Sequence, residues 1–369
     1  MIPLDKTIIT QEMIDAAVSA LVNEDLLFGE SVTKFEEEFA RFCGVDFAIS
    51  VGSGTEALIF SLIAIGVEGK QVLTTPTSYV ATANCAFHAG GTPVFCDIKN
   101  TNNNIDPVEI SKKIKSENQK KIGAIIPVHL HGHPADMKEI TEIAETKRIP
   151  VIEDACQAHG ATYFGRRIGS IGDVGCFSFN PVKNMTVCGE GGMVTTNDER
   201  MAKKVRMLAD SGRESPYSHE HKIIGYSSRI NTINAAIGRI QLKYLDDWNE
   251  KRIEAAKEYY KLLDSIKGIE LPGGIGKNIK AVYNKFAIKT NKRNELKEHL
   301  YSNGIECDSH YPIPIHLQPA YTEVGYKKGN FPNAERFAET TLSLPMFIDI
   351  KIEDITYISK SVREFCGEH

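Results

Sequence analysis

The chain has 369 residues, 42% hydrophobic and 25% charged, with a formal net charge of −5. That profile fits a soluble globular protein long enough for two domains. It argues against nucleic acid as a partner, because no basic run stands out, and no apolar run reaches the ~20 residues a bilayer span requires. The opening MIPLDKTIIT turns polar too early for a signal peptide, so a cytoplasmic location is expected. The eight cysteines are scattered and none forms a CxxC pair. Reduced, mostly buried thiols are therefore expected, not zinc or a disulfide framework.

Taken in order, residues 11–22 and 31–42 read as amphipathic helices, the second with Phe35, Phe39 and Phe42 at helical spacing and suited to a core. The run FAISV (47–51) reads as a strand, and GSGTEAL (52–58) opens a helix. The main-chain amides of Gly54 and Thr55 would then sit free at a helix N-terminus, a seat for phosphate. QVLT (71–74) is a second strand, followed by a turn and a helix with Tyr79 near its start. TPVFCD (92–97) is a strand, Asp106-Pro107 opens a helix, and GAIIPV (123–128) is the next strand.

The loop HLHGHPADM then carries His129, His131 and His133. Alternating histidines without a carboxylate or cysteine at ligand spacing favour structural hydrogen bonds over a metal site, so no metal is expected. A helix over 136–146 leads to the strand PVIE (150–153), with Asp154 directly after it. Short β-branched runs alternating with helices predict a mixed, mostly parallel sheet covered by helices on both faces. Ligands in such sheets bind at the C-terminal strand ends, where Asp154 stands.

The most informative stretch is CFSFNPVKNMTVCGEGG (176–192), in which Lys183 lies between Phe177-Ser178-Phe179 and a glycine cluster. A loop lysine is ordinarily a solvated one. Shielded by apolar neighbours, it becomes an amine able to attack an aldehyde. Beyond it, MVTT (193–196) is a strand, 198–209 a helix, and 210–229 a long polar segment of the kind found at functional sites or interfaces. A helix over about 233–263 is long enough to join two domains, a larger one over 1–240 and a smaller α+β one over 241–369. In the latter, VYNKFAIK (282–289) is strand-like and 293–303, 333–341 and 352–364 read as helices.

A phosphate seat at Gly54 and Thr55, an aromatic face at Tyr79, a strand-end acid at Asp154 and an amine at Lys183 are together what pyridoxal 5′-phosphate requires. With the runs VGSGTEAL, GTPVFCDI, PVHLHGHPADM, EDACQAHGA, FSFNPVKNMTVCGEGG and HYPIPIHLQPAY, the chain resembles the DegT/DnrJ/EryC1/StrS sugar aminotransferases, enzymes of aminotransferase fold type I. The resemblance runs from Gly29 to about Pro345. It implies that Lys183 is the Schiff-base lysine, Asp154 the partner of the pyridine nitrogen and Gln157 a contact of the 3-hydroxyl. It also implies that Tyr79 stacks on the ring and that Gly54, Thr55 and Ser178 hold the phosphate.

The same resemblance implies a homodimer in which 211–229 reaches the partner's site. Where the family usually has Gly-x-Asn-x-Arg, this chain has GYSSR (225–229), so Ser227 stands in place of the asparagine that contacts the neighbouring subunit's cofactor phosphate, with water or Ser228 as the alternative. Arg229, His310 and Tyr311 are candidate substrate contacts. The implied reaction moves an amino group from an amino acid, glutamate in the family pattern, to a nucleotide-linked keto-deoxysugar. The loop HYPIPIHLQ leans toward the C3 position. The alternatives are the C4 position, a cyclitol ketone, a sugar dehydratase of the same fold, and a non-catalytic regulator. The dehydratases carry histidine at the lysine position, so Lys183 counts against that branch.

Overall fold

The computed structural model describes residues 1–116, 121–273 and 276–367. Among these, the first half alternates helix and strand: α1 (Gln11–Asn23), α2 (Glu30–Cys43), β1 (Phe47–Val51), α3 (Gly54–Ile65), β2 (Gln71–Thr74), α4 (Ala81–His88), β3 (Thr92–Phe95), α5 (Pro107–Ser116), β4 (Ile122–Ile125), α6 (Met137–Lys147) and β5 (Ile152–Asp154). A small hairpin, β6 (Thr162–Tyr163) and β7 (Arg166–Arg167), precedes β8 (Val174–Ser178), β9 (Gly192–Thr196) and α7 (Glu199–Ala209). The chain closes with α8 (Thr232–Leu263), β10 (Ile279–Lys280), β11 (Phe286–Lys289), α9 (Arg293–Ser302), α10 (Pro332–Thr340), β12 (Thr341–Leu344) and α11 (Ile352–Phe365).

The main sheet is a β1-β9-β8-β5 ribbon and a β3-β2-β4 ribbon. Parallel bridges from Ile125 to Val151 and from Val128 to Asp154 join them, giving the order β3-β2-β4-β5-β8-β9-β1. Only β9 runs against its neighbours, pairing Val51 with Gly192 on one side and Ser178 with Gly192 on the other. Helix α3 lies against the sheet centre and buries Ala57, Leu58, Phe60 and Leu62. On the opposite face, Phe35 and Phe39 of α2 meet Phe177 and Phe179, with the Phe39 ring 5.0 Å from Phe177 and 5.5 Å from Phe179.

Helix α8 has 32 residues and so runs about 48 Å. Asn231 caps it, its side chain accepting from the Asn234 amide at 2.8 Å. Its first half packs with α1 and α2, and its second half supplies Ala255, Ala256, Tyr259 and Leu263 to a separate core with Phe286, Ile288, Leu342, α9 and α11. That second core is not closed off from the rest. Ile315, Tyr321, Phe331 and Phe337 pack back onto Ala83, Phe95 and Val128, and Ile2 pairs with Ile305. Among the described residues no helix is long and apolar enough to cross a membrane.

Candidate active site

Because β5, β8 and β1 are mutually parallel, their C-terminal ends open on one edge of the sheet. A cavity of about 510 Å³ lies there. Gly54, Thr55, Tyr79, Asp154, Gln157, Ser178, Lys183, His310 and Tyr311 all line it. These residues come from five stretches of chain, from Gly54 to Tyr311.

The start of α3 forms one wall. Ser53 caps the helix: its Oγ accepts from the Glu56 amide at 3.2 Å and donates to the Glu56 carboxylate at 3.1 Å. This reciprocal pair leaves the first amides, Gly54 and Thr55, without intrahelical acceptors and at the positive end of the helix dipole. A Cβ on Gly54 would lie 2.5 Å from Ser178 Cβ and 2.9 Å from Cys156 Sγ. Only glycine lets the helix start press against Ser178 at the end of β8. Ser228 braces the same turn from behind, with its carbonyl and Oγ accepting from the Gly52 amide at 3.0 and 3.1 Å.

Asp154 is the last residue of β5, so the strand ends one residue later than PVIE predicts, and Asp154 is buried. Its Oδ2 accepts from Thr82 Oγ1 at 2.7 Å and its Oδ1 from the Cys156 amide at 3.3 Å. Thr82 is in turn 2.7 Å from Ser78 Oγ, one helical turn earlier. Gln157 is oriented by the His131 amide, which donates to its Oε1 at 2.8 Å. Its Nε2 is left facing the Tyr311 hydroxyl at 3.5 Å. The rings of Tyr79 and Tyr311 are 6.0 Å apart. Tyr79 lies just before α4, not inside it.

Lys183 is half-buried in a turn closed by its amide donating to the Asn180 carbonyl at 3.0 Å. Burial, and then the Lys183 charge, pull the His159 imidazole down to about 3. Burial, then the Lys285 charge, pulls His310 down to about 4. Both rings are therefore neutral at physiological pH.

The His-rich loop serves structure. His129 accepts from the Ala135 amide at 3.0 Å through Nδ1 and donates to Glu153 at 3.1 Å through Nε2. His131 Nε2 lies 3.1 Å from the His310 carbonyl, and the His133 ring packs on Tyr283 with centroids 5.0 Å apart. Among the described residues no group of three or more metal-ligating side chains is gathered.

The model of the DegT/DnrJ/EryC1/StrS aminotransferase family matches residues 7–363. The chain belongs to that family. It is 38% identical over 353 residues to the dTDP-3-amino-3,4,6-trideoxy-α-D-glucose transaminase of Streptomyces venezuelae, with 95% of this chain and 91% of that protein covered. It is equally 38% identical to a pleiotropic regulatory protein of Geobacillus stearothermophilus, over 92% of this chain and 90% of that one. In three dimensions it superimposes on S. venezuelae DesV, solved in complex with a ketimine intermediate. The TM-score is 0.93 at 37% identity, over 97% of this chain and 95% of that chain.

Two expected site residues of this DegT/DnrJ/EryC1/StrS chain stand away from the cavity. Arg229 is paired with Asp210 and donates to Ser227 Oγ at 2.9 Å. Ser227 is exposed and bridges to Asp210 across an antiparallel contact. The Asp210 carboxylate holds this corner of the chain, so in its own subunit Arg229 has no path to the cavity. Ser228, the alternative to Ser227, turns instead to Gly52 of the same chain.

Sequence reasoning missed Ser78, Thr82, Asn180 and Glu190, all of which line the cavity. Ser78 and Thr82 had a usable signal: two hydroxyls at i and i+4 bracketing the start of α4 after a strand end. Asn180 and Glu190, joined by a 2.8 Å hydrogen bond across the lysine loop, had none.

Proposed function

We propose that this protein is a pyridoxal phosphate-dependent transaminase that moves an amino group from an amino acid, glutamate in the family pattern, to the C3 carbonyl of a nucleotide-linked keto-deoxysugar in the cytoplasm. The observation that carries the reading is the convergence of Lys183, Asp154 and the Gly54–Thr55 amides on one cavity. The donor set suits the cofactor. The α3 amides with the hydroxyls of Thr55 and Ser178 suit a phosphate. Asp154, oriented by Thr82 and the Cys156 amide, supplies an anion for a protonated pyridine nitrogen. Gln157 Nε2 offers a donor to a ring hydroxyl, and Tyr79 offers an aromatic face.

When bound, the cofactor supplies an electron sink for the carbanion at the donor's α-carbon. Lys183 would hold the group through its Nζ, and the same amine, when free, would be the base for the donor's α-proton. His310 and Tyr311, which line the cavity, would meet the incoming sugar. Neutral at physiological pH, His310 offers hydrogen bonds without adding charge.

The assembly in this proposal is a homodimer with Ser227 reaching the other subunit's phosphate seat. The exposed side chains Tyr217, Ile224 and Tyr226 in the 211–229 segment support it. The chain divides into a cofactor-binding unit over 1–240 and a smaller unit over 241–369. A second reading, a regulator built on the same fold, is favoured by the name of the Geobacillus relative. A complete lysine and acid pair has no use in such a protein.

The test is an absorbance spectrum of the purified protein, with pyridoxal phosphate added, before and after glutamate. A visible cofactor band that glutamate converts, together with borohydride fixation of the cofactor on Lys183, is the expected result. No band at all would end the catalytic reading. A band indifferent to glutamate would keep the cofactor and reject the donor. A panel of 3-keto and 4-keto nucleotide sugars then decides the position.

A further inference from the structure

Lys183 is flanked by two residues that the interior holds directly. Asn184, Asn249 and Asn284 are 2%, 0% and 3% exposed and form one connected group. Asn184 Nδ2 donates to Asn249 Oδ1 and to the Val282 carbonyl, both at 2.9 Å. Asn284 Nδ2 donates to Asn184 Oδ1 and to the Val182 carbonyl, both at 3.1 Å. Asn249 Nδ2 donates to the His159 carbonyl at 2.8 Å. The residues before and after Lys183 are thus both anchored, one through its carbonyl and the other through its side chain.

The anchors come from three distant places: α8, the segment leading into β11, and the loop after Asp154 and Gln157. Gly160 has a positive φ of 82°, and a Cβ there would lie 2.6 Å from Asn249 Nδ2. The last residue of the EDACQAHG run therefore makes room for this network. Each of the two fork-like donors, Asn184 and Asn284, has both N–H groups used. A buried network that is fully paired is rigid, and one with a member removed leaves polar groups stranded.

A lysine stem has four rotatable carbons, so its amine is placed only as well as its main chain is fixed. We propose that Asn184, backed by Asn284 and Asn249, is a positioning residue for Lys183. It references the lysine main chain to the loop that carries Asp154 and Gln157, and it touches neither cofactor nor substrate. This rests on the reading of Lys183 as the covalent attachment point.

The experiment separates attachment from binding. Full-length protein is mixed with pyridoxal phosphate, fixed with borohydride at timed intervals, and the label on Lys183 is measured by peptide mass. Binding of pyridoxamine phosphate, which forms no bond to lysine, is measured in parallel. For Asn184→Ala and for the milder Asn284→Ser, attachment is expected to slow ~10–100-fold, the scale of a small misplacement of a reacting group. Pyridoxamine phosphate affinity is expected to stay within about threefold, well inside the effect of one hydrogen bond. Attachment at the wild-type rate in both variants overturns the proposal. So does a parallel loss of attachment and pyridoxamine phosphate binding, which would mean that the network only supports the cavity. A wild-type protein that never labels at Lys183 overturns the functional reading instead.

Discussion

Two irregular connections of similar character behave in opposite ways. The β8–β9 connection, which carries Lys183, is anchored in the interior: Phe179, Met185 and Val187 are each 0% exposed and the Asn184 side chain is fully hydrogen-bonded, while Val182 and Cys188 face outward. The α7–α8 connection is a surface feature, with Tyr217 89% and Ile224 93% exposed. Its base is held by ion pairs of Arg213 and Arg229 with Asp210 and by main-chain hydrogen bonds such as the Ser211 amide to the Tyr226 carbonyl at 2.7 Å. The first loop is placed by its own subunit. The second offers apolar side chains that its own subunit leaves uncovered, which the proposed dimer would bury. Length and polarity in the sequence do not distinguish a loop that builds a site from a loop that waits for a surface. The apolar residues inside it and the polar partners around it do.

The sharpest way to test the contrast is Lys183→Ala, expected to lower transamination on the order of 10⁴-fold or more, as the proposed nucleophile and base would be lost together. Wild-type turnover in that variant would remove the β8–β9 connection from the chemistry. Asp154→Asn keeps the shape and removes the anion. Steady-state kinetics should show kcat down ~10²–10³-fold, and retained activity would assign Asp154 a structural role.

Behind the lysine loop, Phe39→Ala removes the ring shared by Phe177 and Phe179 and should cost ~3–5 kcal/mol in urea unfolding. A much smaller loss would mean that the interior does not hold this loop. The buried imidazole of His159 titrates at about 3 in the fold, against an ordinary value of 6.5. The unfolded chain therefore takes the proton first. The stability this ring contributes is full above pH 6.5, declines as the pH falls, and levels off near 3. The urea midpoint should drop between pH 7 and 4, and His159→Phe should flatten that slope.

The smallest effect belongs to the outer loop. Ser227→Ala should change turnover by less than about tenfold, the range of one hydrogen bond. Ile224→Glu should instead shift the sedimentation profile toward monomer. If Ser227→Ala proved as damaging as Lys183→Ala, the two loops would be equal parts of the site.

Much of this molecule was legible in the order of its residues. The helices beginning at Gln11, Gly54 and Pro107 follow from local capping and periodicity, and the strands at 47–51 and 71–74 from short β-branched runs, all of which act over a few residues. The placement of Asp154 at a strand end and of Gly54 at a helix start are local facts of the same kind. The hairpin β6–β7 and the strand β12 were not legible, because segments of two to four residues are stabilised only by what they pair with.

The sequence by itself determined the elements, the turn chemistry and the set of reactive side chains, because those rest on near neighbours. The tertiary structure decided the reversed direction of β9, the return of residues 315–337 onto the large unit, and the meeting of Asn184 with Asn249 and Asn284 across 65 and 100 positions. It also decided that Arg229 faces Asp210 and not the cavity. Each of these is a choice of hydrogen-bond or packing partner made between distant segments. Such a choice is enforced by the cost of leaving a buried polar group unpaired, and a local stretch of sequence carries no record of who the partner will be.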